Sequence, residues 1–369
     1  MLYNLLTSLP MMVCAVLSVQ LALELRNRRL RAIPELLVYM VVATVLYTGH
    51  YVFFNHAVQL IPFSDTLYLT ANLSVYPLYL LYIIRLTRQR DARFLLLLLP
   101  AVAALVTVGT LYLLMDDEER RLFIDNYLYS ARTTALHGLA LAQAWVHAVC
   151  RVLFVAEVVF TVVAGLRFIR QYHRKLDQFY SDTEDKSLYR INSILYLVVI
   201  TSCLSFVAVT LDRHYFYGSI WLLAVPALLF SLLLFCIGYV GLHQHFSVED
   251  VSSEMPAEAP PSSIKSSVQE ELAVRIRRIT DEQQLFLQPN LKITDLAALL
   301  NTNRTYVHQA ISEHLGTTFN ELINTRRIQY AQQLKKKEPE LPAYEIAWRS
   351  GFSSVSAYYR NLKAYSETK

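Results

Sequence analysis

The chain has 369 residues, 54% of them hydrophobic and only 17% charged, and its formal net charge is +4. A soluble protein carries nearer a quarter charged residues, so an ordinary pair of soluble domains is excluded. The small net charge gives no general polyelectrolyte character that would by itself argue for nucleic acid. Charges are sparse before about residue 245 and frequent after it, so two materials are joined in one polypeptide.

A helix crossing the hydrocarbon core needs roughly 20 mostly apolar residues. Seven stretches qualify, at about 3–25, 34–54, 66–86, 94–115, 144–166, 191–211 and 220–242. The first is too long for a cleaved signal, and its basic residues follow rather than precede it. Basic residues mark cytoplasmic loops. Arg26, Arg28, Arg29 and Arg31 follow the first span, Arg85, Arg88, Arg90 and Arg93 the third, and a cluster from Arg167 to Arg190 the fifth. The intervening loop NHAVQLIPFSD carries no Lys or Arg, and DDEERR is acid-balanced. The alternation predicts an outer N-terminus and an inner C-terminus.

Polar groups inside spans are costly and invite explanation. Gln143, His147 and Arg151 recur every four residues on one face of the fifth span, with Glu157 about two turns deeper. Tyr47 and His50 lie near the outer end of the second, and Tyr68, Asn72 and Tyr76 form a stripe on the third. Two readings are open: interhelical hydrogen bonding, including an Arg151–Glu157 pair, or a pocket for a small ligand formed by His50, Tyr68, Asn72, His147, Arg151 and Glu157. Cys14, Cys150, Cys203 and Cys236 fall in apolar runs and read as buried small hydrophobes, without a zinc or disulfide framework. No phosphate loop, HExxH or GxSxG is present, and neither a catalytic site, a metal site nor a cofactor is expected.

Residues 247–268, SVEDVSSEMPAEAPPSSIKSSV, have no apolar period and read as an extended linker between a 1–246 bundle and a 269–369 domain. That domain opens with EELAVRIRRITDEQQLFL, where Leu272, Ile276, Ile279 and Phe286 recur at helical spacing. This is the domain's own first helix or a dimer-forming helix.

Two helix-turn-helix patterns follow. ITDLAALL reads as a helix capped by Thr294 and burying Leu296, Ala297 and Leu300. Asn303 then caps RTYVHQAISEHLG, whose inner stripe is Val307, Ala310, Ile311 and Leu315, and Gly316 ends it. Its other face carries Arg304, Thr305, His308, Gln309 and Ser312. These are short or forked hydrogen-bonding groups suited to base edges and phosphate, or to a solvated face. The long helix FNELINTRRIQYAQQLKKK turns Leu322, Ile323, Ile328, Ala331 and Leu334 inward. The second pattern buries Ile346, Ala347 and Phe352 around Gly351, then turns Tyr358 and Leu362 inward and Ser356, Tyr359, Arg360 and Lys363 outward.

From about Leu285 to Tyr365 the chain resembles the DNA-binding domain of the AraC/XylS family of bacterial transcription regulators. The matching pieces are Leu296-Ala297, Asn303-Arg304-Thr305-Tyr306, Gly316-Thr317-Thr318-Phe319, Arg327-Ile328 with Ala331, Glu345-Ile346-Ala347 and Gly351-Phe352-Ser353-Ser354. The resemblance implies two recognition helices in successive major grooves of double-stranded DNA. Thr305, His308 and Gln309, then Ser356, Tyr359 and Arg360, would stand at base-reading positions. Leu362 departs from the family's usual Phe, and the family's Gly-x-Thr-Pro segment does not follow. The arrangement is similar to membrane-tethered regulators of this type. The expected architecture is all-α, a seven-span sensor bundle followed by this domain, and the candidate partners are the lipid membrane, an unknown small ligand or membrane partner, and a second copy of the chain in a homodimer. A transporter or channel with a regulatory domain, and a protein–protein adaptor that no longer binds DNA, are the rival readings.

Overall fold

The computed structural model describes residues 2–27, 32–87, 92–130, 135–182, 220–242 and 266–367, together with Tyr196, Val199 and Cys203. Among these residues the protein is helical, without a strand. The helices are α1 (Leu2–Asn27), α2 (Ile33–Phe54), α3 (Ile61–Leu86), α4 (Leu99–Leu114), α5 (Asp117–Leu122), α6 (Gly138–Phe179) and α7 (Ile220–Leu242), then α8 (Ser266–Glu282), α9 (Ile293–Leu299), α10 (Arg304–Gln309), α11 (Phe319–Lys337), α12 (Ala343–Arg349) and α13 (Val355–Glu367). They divide into two compact units. One holds the chain to Ile169 with α7, and the other holds the end of α6 from Arg170 with everything from Ser266.

Among the described residues six helices are long and apolar enough to cross a membrane: Leu2–Arg26, Ile33–Phe54, Val58–Leu86, Arg93–Leu114, Gly138–Phe179 and Ile220–Leu242. The seventh expected span, 191–211, lies largely outside the described residues, as does most of the 247–268 linker. α2 packs between α1 and α3, α1 also meets α7, and α3 meets α4. Gly49 allows the α2–α3 approach, because a Cβ there would stand 2.8 Å from Tyr68 Cβ. The outward faces stay apolar, with Leu113, Val152 and Trp221 exposed, the pattern of helices whose surroundings are not water. Three expectations change. Pro62 starts α3 earlier than the apolar run suggested, so Asp65 lies inside the helix and not in a loop. DDEERR forms α5, capped by Asp116, whose side chain accepts from Glu119 N–H. Cys203 is exposed and Cys236 half-buried, so only Cys14 and Cys150 are buried thiols.

In the second unit one apolar core joins α8 to α11. Ile276, Leu296, Val307, Ala310, Ile311, Phe319 and Ile323 are buried together. A second, of Ile328, Ala331, Ile346, Ala347, Phe352, Ala357 and Tyr358, joins α11 to α13, with Leu362 packed on it. α8 buries Leu272 and Ile276, as expected of the domain's own first helix. Asn303 caps α10, its Oδ1 accepting from Thr305 N–H at 3.0 Å. Thr294 is not a cap. α9 starts at Ile293, and Asp295 reaches back to accept from Lys292 N–H at 2.9 Å. Asn301 and Gly316 take left-handed conformations at the turns before and after the α10 segment.

Candidate nucleic-acid interface and bundle cavity

The second unit is organised around Arg327 of α11, which is 1% exposed. Its guanidinium donates to Phe286 O at 2.6 Å, Gln288 O at 2.7 Å, Asn324 Oδ1 at 3.1 Å and Ser181 Oγ at 3.3 Å. It also lies over the Phe352 ring at 5.7 Å. Burial pulls its pKa down to about 10, and the Asp182 carboxylate acts the other way, so it stays charged at neutral pH. A buried charge is stable only when its donors are met, and the planar fork meets several acceptors at once. Arg327 thereby ties the loop after α8 to the core beneath α13.

Two outward faces carry the residues suited to DNA. On α13, Ser356, Tyr359, Arg360 and Lys363 are exposed, with Lys363 Nζ 3.9 Å from Glu367 Oε1. Of the candidates on α10 and the π-helical turn Ala310–His314 after it, Ser312 is exposed, while Arg304, Thr305, His308 and Gln309 are half-buried. Phe179, from the end of α6, covers two of them. Its ring stacks on His308, with centroids 6.0 Å apart and planes 13° apart, and Arg304 Cζ lies 5.0 Å from the ring centroid. Burial lowers the His308 pKa, against the pull of Glu313 and with the push of Arg304. Gln309 Oε1 accepts from Gln269 Nε2 of α8 at 2.8 Å. The sequence reading placed these side chains on one face but gave no sign of what covers it. Phe179 lies more than a hundred residues upstream.

In the first unit a cavity of about 310 Å³ lies among α1, α2, α3, α6 and α7. This is near the lower bound for sites that take small molecules. His50, Tyr68, Asn72, His147 and Arg151 all line it, as do Tyr47 and Tyr76. Glu157 does not line it. Its carboxylate is buried with no hydrogen-bond partner among the described residues, and no Arg151–Glu157 ion pair forms there. The residue that the sequence reading missed is Asp65. Its Oδ2 accepts from Tyr112 O–H at 2.8 Å and lies 2.9 Å from His147 Nε2. Pro62 in the first turn of α3 was the available signal. Among the described residues no group of three or more metal-ligating side chains occurs.

Comparison with known proteins bears on the second unit. Residues 296–368 match the family model described as Helix-turn-helix domain. An uncharacterized HTH-type transcriptional regulator of Staphylococcus aureus (strain COL) is 24% identical over 91 residues, which is 25% of this chain and 12% of that protein. The chain thus spans about an eighth of that relative's length. No solved structure matches. The C-terminal part of this chain is a helix-turn-helix domain of the AraC type.

Proposed function

We propose that the chain is a membrane-bound, sequence-specific DNA-binding transcription regulator, in which α10 and α13 are two recognition helices and the bundle is a signal sensor. The observation that carries this reading is one polypeptide holding both a helix-turn-helix domain of a regulator type and six helices apolar enough to cross a membrane. Arg360, Lys363, Arg304 and Gln309 supply the forked and cationic groups that duplex recognition uses. The role is DNA binding rather than catalysis.

The bundle cavity supports sensing of a compact amphipathic molecule. Its walls are largely apolar, aliphatic side chains alternating with rings that include Tyr47, Phe53, Phe54, Tyr68, Tyr76 and Phe230. Arg151 reaches it with its guanidinium over the Tyr127 ring and donating to Tyr127 Oη at 3.2 Å, without a carboxylate partner among the described residues. A ligand with an apolar body and an anionic or hydrogen-bond-accepting head fits both features. The inner membrane is the site that places the helix-turn-helix domain with the chromosome, and the arginine-rich loops support that orientation.

Reporter fusions test this arrangement. A reporter active only in the cytoplasm works after Arg29, Arg90 or Arg174 and at the C-terminus, and fails after Val58 or Asp117. The reverse pattern would put the helix-turn-helix domain outside the cell and remove the DNA-binding role.

A further inference from the structure

The end of α6 is built into the helix-turn-helix domain. Ser181 is 1% exposed and Tyr180 3%. Ser181 N–H and Oγ–H both donate to Leu291 O, at 3.1 and 2.8 Å, and Tyr180 forms an antiparallel bridge with Lys292. From α11, Asn320 Nδ2 donates to Tyr180 O and Ser181 O at 3.1 Å each, and Asn324 Nδ2 donates to Ser181 O at 2.8 Å. Arg327 closes on Ser181 Oγ. Each of these is a directed contact with few alternatives, because buried carbonyls and amides must find partners.

On either side of this anchor the same segment touches both candidate DNA faces. Phe179 covers Arg304 and His308 at the first. At the second, Ser353 Oγ donates to Asp182 Oδ2 just before α13, and the Asp177 carboxylate acts electrostatically on Arg360. One carboxylate is hydrogen-bonded to Ser353, a second feels the charge of Arg360, and an aromatic ring covers Arg304 and His308. The segment presents to the domain the same chemistry as a nucleic acid: negative charge for the guanidinium and hydroxyl, and a flat ring for the cation and imidazole.

We propose that residues 177–182 are an intrachain ligand of the helix-turn-helix domain that competes with duplex DNA for α10 and the start of α13. This rests on the reading of α10 and α13 as DNA-facing helices. Bound DNA needs Arg304 and His308 free of Phe179, so the segment leaves its seat when DNA binds. If the seated form outnumbers the free form about ten to one, apparent DNA affinity is about tenfold below that of a chain that cannot seat the segment.

The test uses the full chain in detergent or nanodiscs and a random-sequence duplex of about 30 base pairs, three helical turns. Affinity is measured for the wild type, Phe179→Ala and Asp177→Asn, and amide hydrogen exchange at residues 177–182 is followed with and without saturating duplex. Competition predicts tighter binding, about tenfold for Phe179→Ala and less for Asp177→Asn. It also predicts faster exchange at Tyr180 and Ser181 once DNA is bound. Equal affinities with unchanged exchange overturn the competition and leave the DNA-binding reading standing. Unchanged exchange in a wild type that binds DNA overturns it even if Phe179→Ala weakens binding by misfolding. No DNA binding by any of the three proteins overturns both readings.

Discussion

His147 Nε2 lies 2.9 Å from Asp65 Oδ2 while His147 Nδ1 lies 2.9 Å from the Gln143 carbonyl oxygen. A carbonyl only accepts, so Nδ1 carries a hydrogen. Nε2 faces the Asp65 carboxyl oxygen. Tyr112 donates to the same oxygen. Asp65 thus joins α3, α4 and α6 at the cavity wall, and Arg151 is left as a positive charge facing the cavity.

These two residues are expected to fail differently. Asp65→Ala strips the partner from a buried imidazole nitrogen and a buried phenol, at about 1–3 kcal/mol for each group left unmet. The thermal unfolding midpoint of the purified chain falls accordingly. Arg151→Ala removes an exposed group whose contact with Tyr127 is one hydrogen bond and a ring face, with no buried partner left unmet. It leaves the protein level and the midpoint near wild type while changing the response to signal in cells. An Arg151→Ala protein that responds normally would remove the main support for the cavity as the sensor.

Arg327→Met leaves Phe286 O, Gln288 O and Asn324 Oδ1 without their shared donor, and is expected to cost on the order of 3 kcal/mol. Arg327→Lys restores the charge but not the planar fork, and recovers only part of that. Chemical denaturation of both variants followed by circular dichroism measures this.

Gly351 and Gly316 both adopt positive φ, +81° and +64°. A Cβ at Gly351 would stand 2.6 Å from Phe286 O and 2.8 Å from Leu287 Cα, whereas one at Gly316 would meet nothing within 4 Å. Gly316→Ala therefore carries only the conformational cost, roughly 1–2 kcal/mol. Gly351→Ala adds a backbone collision and is expected to cost more. Paired denaturation curves check the order.

On DNA, Gln309 and Arg360 can each make two hydrogen bonds to one base edge, adenine and guanine respectively, worth about 1–3 kcal/mol of discrimination. Lys363, late in α13 and exposed, is expected to meet phosphate. Gln309→Ala and Arg360→Ala are expected to narrow the gap between preferred and random sequence. Lys363→Ala weakens both alike and lowers the salt slope by about one. Titrations at several salt concentrations separate the two. Gln309 Oε1 accepts from Gln269 Nε2, so a base contact that uses this oxygen would compete with that bond.

Local signals were legible in the sequence. Asn303 as a cap, Gly316 and Gly351 at turns and Phe352 in the core follow from short-range stereochemistry, and the helix-turn-helix layout follows from them. Asp65 was not read as helical because the apolar run begins after it, although Pro62 marks the earlier start. Thr294 reads as a cap because a hydroxyl suits a helix start, but the helix begins at Ile293 and the Asp295 carboxylate closes back on Lys292 N–H. Arg327 was visible only as part of a motif, since burial of an arginine depends on acceptors gathered from distant loops. The cover that Phe179 places over α10 has no local signature at all. It depends on a pairing across more than a hundred residues.

The most direct measurement of the central claim is the mapping of chromosomal DNA cross-linked in cells to the full chain recovered from the membrane fraction. The account predicts enrichment at a small set of discrete sites sharing sequence over about two helical turns, lost in a variant carrying both Gln309→Ala and Arg360→Ala. Recovery of the chain in membranes with no site enriched over the rest of the chromosome would contradict it.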